Sequence, residues 1–388
     1  MTILTSRPHK AMCMLQRVVL LGLVILTIKF NGVKGHGFEV DKASTDSANT
    51  PADYIDPIIY PGENHFVNIR QLTFGGDNAE AYFSFDGKSL VFQATYPVWG
   101  ATCDQIYVTG TENNQMRFQK PPMVSTGYGR TTCSYFLPGD TTILYASTHL
   151  KANECPPLPE RLFDGKYVWP IYDSFDIFVT DLNGNIIRQL TNEPGYDAEA
   201  TVSPTGDKIV FTSMRSGDLE LYTMNIDGSN VKQITNKLGY DGGAFFSPDG
   251  KKLVFRSSRP KTREEILEYR QLLVLGLVQP TDMEIYICNV DGSDLKQITS
   301  LGNANWAPFF HPSGEKIIFS SNHKSPRGMP FNLFMINIDG TGLEQISFDK
   351  FFDAFPVFSP DGKRLVFSSN RNNGGTRDTN LFIADWAD

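Results

Sequence analysis

Three aspartates and three arginines stand in register along this chain. Counting six residues back from a recurring turn tetrad gives Asn78, Thr131, Asp197, Asp241, Asn305 and Asp353, and 18 residues after each come Tyr96, His149, Arg215, Arg259, His323 and Arg371. Carboxylates recurring at one structural position and converging near an axis would suit a hard cation, which takes oxygen ligands. The second column argues for other chemistry. Every Asp is matched by an Arg, whereas Asn and Thr are matched by Tyr or His. Such matched substitution is what a hydrogen-bonded ion pair inside each repeat produces. Asp197 with Arg215, Asp241 with Arg259 and Asp353 with Arg371 are therefore predicted as structural pairs, and no metal site is expected.

Residues that break the repeat are the better candidates for binding. Two positions after the first column stand Glu80, Cys133, Glu199, Gly243, Ala307 and Phe355. Glu80 and Glu199 are acids to which the repeat supplies no partner, suited to a cationic or hydroxylated ligand. Arg130 and Trp306 fall in loops entering a repeat, where a guanidinium and an indole would suit peptide or sugar recognition. Cys103, Cys133 and Cys155 fall on one side of the first two repeats, so one disulfide involving Cys155 is expected, with its partner open between the other two. Cys288 shares its position with Met224 and Ile336 and reads as packing. Catalytic templates are missing: the chain has no Gly-x-Ser-x-Gly, His-Glu-x-x-His or Gly-x-x-x-x-Gly-Lys motif, so no catalytic residue and no cofactor is assigned.

The elements that must position these residues are short strands. The tetrad occurs as Ser84-Phe85-Asp86-Gly87, Leu137-Pro138-Gly139-Asp140, Ser203-Pro204-Thr205-Gly206, Ser247-Pro248-Asp249-Gly250, His311-Pro312-Ser313-Gly314 and Ser359-Pro360-Asp361-Gly362. Each copy precedes a β-rich run such as Leu-Val-Phe, then an alternating strand, an Asp-Gly turn and, in most copies, a strand ending in Gln-Leu-Thr or Gln-Ile-Thr. Four short strands per unit, repeated six times, make an all-β, six-bladed β-propeller. The sixth unit runs out after its third strand, and Val67 to Leu72 would supply the fourth, removing an open edge. One insertion, 261–280, reads as helical: Thr262 and Glu265 form a capping box, and Ile266, Tyr269, Leu273 and Leu277 share a face.

Ser-Pro-Asp-Gly-Lys, Val-Phe-Ser-Ser-Asn-Arg and the Gln-Leu-Thr strand resemble the repeats of the TolB-type β-propeller family, which is WD-repeat-like in layout. The likeness covers residues 67–388. About thirty residues lie between the predicted leader and the first strand. That is too few for the α/β domain preceding the propeller in TolB itself, so the resemblance implies a fold and does not carry over an adaptor role.

Residues 1–38 read as a signal peptide, since Arg7, Lys10 and Arg17 precede the apolar run Val18 to Ile28; an uncleaved membrane anchor is the alternative. Residues 39–66, rich in Ser, Thr, Ala, Pro and Asp, read as a flexible linker. The formal charge of the whole chain is -8, and without the leader's five basic residues it falls to -13. An acidic surface repels phosphate backbones, so nucleic acid is not an expected partner. Length variation concentrates in loops on one face of the ring, and rigid scaffolds carry function on variable loops. The expectation is a secreted or periplasmic, non-enzymatic module binding protein, peptide or glycan on that loop-rich face. The alternative is a glycan- or small-molecule-processing enzyme using acids at the channel mouth.

Overall fold

The computed structural model describes residues 58–112, 119–158, 165–325 and 328–388. The predicted signal peptide and the linker as far as residue 57 lie outside them. Among the described residues, no helix is long and apolar enough to cross a membrane.

Six antiparallel sheets form the blades. Blade 3 shows the plan, with Asp197–Val202 innermost, then Lys208–Ser213, Glu220–Asn225 and the two-residue outer strand Lys232–Gln233. Among the described residues blade 1 has three strands, Asp77–Phe83, Ser89–Thr95 and Gln105–Gly110. The last blade stacks Asp353–Phe358, Arg364–Ser369 and Asn380–Trp386, and its outermost strand is Phe66–Gln71 from the start of the described chain. Phe66 pairs with Trp386 and Gln71 with Phe382, so the ring closes by the expected exchange.

The tetrads work as turns for a readable reason. Ser84, Ser247 and Ser359 each donate to the Asp two residues on, at 2.6–2.7 Å, and accept the backbone N–H five residues on. Gly250 closes the turn at a φ of 71°, a left-handed conformation that glycine adopts without Cβ strain. The run that follows places Phe92, Tyr145, Phe211, Phe255, Phe319 or Phe367 fully buried between neighbouring blades. Each such ring contributes about 1.5–3 kcal/mol by leaving water. The threonine of the Gln-Leu-Thr strand is explained as well. In blade 4, Thr299 donates to Glu284 at 2.6 Å and accepts from the N–H of Ile285 at 2.8 Å, tying outer strand to third strand.

The segment read as a flexible linker needs correction at its end. Ile58 to His65 packs on the last blade, and Glu63 is buried against Arg371. A composition of small polar residues conceals one anchoring carboxylate. The insertion folds as helix α1 (Arg263–Val274), with both hydrogen bonds of the Thr262–Glu265 capping box formed. Its buried residues are Tyr269 and Leu272, so the inward face is rotated slightly from the predicted stripe. After α1, Leu277–Val278 pairs with Trp169–Pro170 from the other long insertion. Together they cover the loop-rich mouth of the ring.

Candidate functional site

The column of repeat-breaking residues proves to be a ring of β-bulges. Every innermost strand loses register there, and Glu80, Cys133, Glu199, Gly243, Ala307 and Phe355 all take positive φ, between 45° and 59°. Left-handed backbone costs roughly 1–2 kcal/mol at a residue with a Cβ. Cross-blade hydrogen bonds hold it in place. Cys133 N–H donates to Gln93 at 3.0 Å, Gly243 N–H to Glu199 at 2.8 Å and Phe355 N–H to Ser320 at 3.0 Å. All six residues line one cavity of about 20 Å³, room for roughly one water or small ion.

Glu199 has a partner after all, supplied by the next blade. It accepts from Thr212 at 2.7 Å, from the Tyr240 hydroxyl at 2.5 Å and from Gly243 N–H, and it forms a buried salt bridge with Arg256. Arg256 also donates to the Tyr240 oxygen at 2.6 Å and lies over the rings of Trp169 and Tyr240. Burial opposes its charge, but the carboxylate of Glu199 and its other neighbours hold its pKa above the usual arginine value. Gly243 is glycine for the same reason, because a Cβ there would fall 2.0 Å from the guanidinium. Arg256 and Tyr240 were not singled out from sequence. The available signal was Leu-Val-Phe-Arg, a cation where the other five repeats place Gln93, Ala146, Thr212, Ser320 and Ser368.

Glu80 is the less engaged acid. Tyr82 approaches it only at 3.5 Å, and the Cys133 thiol hydrogen-bonds it. Burial raises its pKa, so it holds a proton more readily than a surface glutamate. Beneath this level the channel is filled. Tyr82 lies 5.6 Å from Phe245 of blade 4 and 5.4 Å from Tyr135, and Phe245 lies 5.1 Å from Phe309, measured between ring centroids.

The remaining candidates are held in structure. Arg130 forms a salt bridge to Asp104. Trp306, expected in a loop entering a repeat, lies instead in the innermost strand Asn305–Phe310: it is buried, donates to the Pro280 carbonyl at 2.7 Å and stacks on Phe331 at 4.4 Å. The insertion loops back over it, which spacing alone does not reveal. In the paired columns, Arg215 reaches Asp197 at 2.8 Å, Arg259 reaches Asp241 at 2.7 Å and Arg371 reaches Asp353 at 2.9 Å. Among the described residues there is no group of three or more His, Cys, Asp and Glu placed to hold a metal. Cys103 is disulfide-bonded to Cys155, while Cys133 and Cys288 are free thiols.

The loop-rich face carries a cleft of about 530 Å³ where the two insertions meet. Leu158, Ile171, Tyr172, Tyr196, Leu273 and Leu275 contribute to its walls. At its edge the end of α1 presents Val274, 87% exposed, and Leu275, 65% exposed. Tyr172 is oriented by a hydrogen bond to the Pro157 carbonyl at 2.8 Å. Cys155 anchors this loop to the ring.

Comparison with known proteins places the fold. Residues 171–271 match the family model of the TolB β-propeller domain, so this stretch carries TolB-type repeats. No curated protein matches the sequence. Among solved structures, the TolB candidate of Agrobacterium tumefaciens is similar at 20% identity and a TM-score of 0.50, over 81% of this chain and 91% of that one. TolB of Acinetobacter baumannii is similar at 19% identity and a TM-score of 0.49, over 81% of this chain and 64% of that one. An oligogalacturonate lyase solved with manganese aligns at 13% identity and a TM-score of 0.45, over 82% of this chain and 95% of that one.

Proposed function

We propose that this six-bladed propeller with TolB-type repeats is an exported, non-enzymatic recognition module that binds a protein or peptide on its loop-rich face. The observation that carries the reading is the cleft between Tyr172 and the end of α1, with Val274 and Leu275 left in water. Adjacent large apolar side chains at the lip of an apolar cleft mark an interaction surface. A peptide inserting an aliphatic or aromatic anchor there would bury them. Glycan recognition has less support, since among the described residues Asp173 is the one charged side chain on the cleft wall and no amide side chain joins it.

The enzymatic alternative loses its proposed pair of acids. Glu199 is saturated by four donors, and the filled channel leaves no space for a sugar beside Glu80. Panning the immobilised protein against a random peptide display library tests the proposal. Enriched peptides are expected to bind at least tenfold more weakly to Val274→Asp/Leu275→Asp, and to be unaffected by Lys88→Glu/Lys251→Glu on the opposite face. Peptides insensitive to the first pair would overturn it.

A further inference from the structure

The face of short turns carries its own cavity, about 350 Å³, centred on the ring axis. Tyr135, Phe245 and Phe309 form its floor, and the tetrad prolines Pro204, Pro248, Pro312 and Pro360 form its rim. Phe245 also borders the small cavity of the bulge ring, so the stack of rings across the axis separates the two spaces and leaves this one blind.

Its chemistry is narrow. Among the described residues no charged side chain contributes to the wall. The two serines present are already committed, Ser84 to Asp86 at 2.7 Å and Ser359 to Asp361 at 2.6 Å. The exception is Tyr135. Among the described residues its hydroxyl has no hydrogen-bond partner, and burial alone pushes its pKa up to about 12, so it stays a neutral O–H at physiological pH. A ligand that fits therefore has no charge, presents ring or alkyl surface to the aromatic floor, and carries at most one oxygen for that hydroxyl. The volume is that of a small-molecule pocket, and the blind end is unlike a flat protein-docking surface.

We propose that this funnel is a binding site for a small neutral apolar molecule with a single hydroxyl or carbonyl group, independent of the loop-rich cleft. Fluorescence titration of the full chain with N-phenyl-1-naphthylamine, a neutral apolar probe, and with 1-naphthol tests it. Both are expected to saturate at one site per chain. Val357→Trp, which fills the funnel from its wall, is expected to abolish binding of both with the melting temperature retained. Tyr135→Phe is expected to weaken 1-naphthol about five- to tenfold, the usual worth of one hydrogen bond, and to leave the amine probe within twofold. Val274→Asp/Leu275→Asp is expected to change neither. Equal binding to wild type and Val357→Trp would overturn the proposal, as would no saturable binding up to the probes' solubility. Should Val357→Trp fail to fold, Val202→Trp and Pro248→Trp block the same space, and undiminished binding to either folded variant counts equally against the site.

Discussion

Arg371 grips Glu63 with both terminal nitrogens, at 3.0 and 3.1 Å, although 308 residues separate them in sequence. Neither side chain reaches solvent, and the same guanidinium also holds Asp353 at 2.9 Å. The arrangement closes the ring: Glu63 precedes the strand Phe66–Gln71, so the pair fixes the start of that strand to the blade it completes. Removing one member of a buried ion pair strands the others. Arg371→Ala is expected to destabilise by about 3–5 kcal/mol, read from urea unfolding. Glu63→Gln is expected to cost less, because Asp353 still neutralises the arginine.

The Cys103–Cys155 disulfide closes a loop of 52 residues that includes blade 2's first two strands. Constraining a loop of this length contributes about 2–4 kcal/mol. Reduction, or Cys103→Ser/Cys155→Ser, is expected to lower stability by that amount, measured by thermal unfolding with and without reductant. Peptide mapping of the native protein is expected to find Cys133 and Cys288 alkylated only after unfolding.

Arg256 and Glu80 separate structural from catalytic use of the bulge ring. Arg256→Met leaves the Glu199 carboxylate buried without its counter-charge and is expected to cost several kcal/mol, about as much as breaking any buried pair. Glu80→Gln is expected to leave the melting temperature unchanged or slightly higher near neutral pH, because burial already disfavours its charge. Matched melting curves of the two variants check this contrast.

Glu220 gives the fold a pH dependence. Burial, together with the nearby carboxylates of Asp241 and Asp218, raises its pKa to about 8, against the lowering influence of Thr235 and Arg259. The unfolded chain releases this proton near pH 4.5, whereas the folded one keeps it until about pH 8. Between those values the native state binds more protons, so stability falls as pH rises. Glu220→Gln cannot lose a proton. Its stability advantage over wild type is expected to grow from pH 5 to pH 8 and then level off, measured by urea unfolding at each pH.

The ring was legible in the sequence because its signals recur. Six tetrads, the truncated last unit and the strand before the first tetrad were enough to place the closure. The 18-residue spacing was equally readable, since Asp197 faces Ser213 across one hairpin and Arg215 lies two residues beyond. What stayed hidden lies between repeats. Glu199 meets Arg256 at a separation of 57 residues, across a blade boundary and at no shared repeat position. Glu63 was averaged away by the small polar residues around it. The bulges left little trace, because Glu80, Cys133 and Phe355 are not residue types that favour left-handed backbone, and only Gly243 hints at it. The cleft exists because two insertions about a hundred residues apart pair through Trp169–Pro170 and Leu277–Val278.

Hydrogen exchange of the full chain, alone and saturated with a peptide selected on it, tests the central claim most directly. Recognition at the loop-rich face predicts new protection at residues 168–173 and 270–278, with the innermost strands and the tetrad turns unchanged. Protection confined to the strands bearing Glu80 and Glu199, or to the tetrad turns, would contradict it.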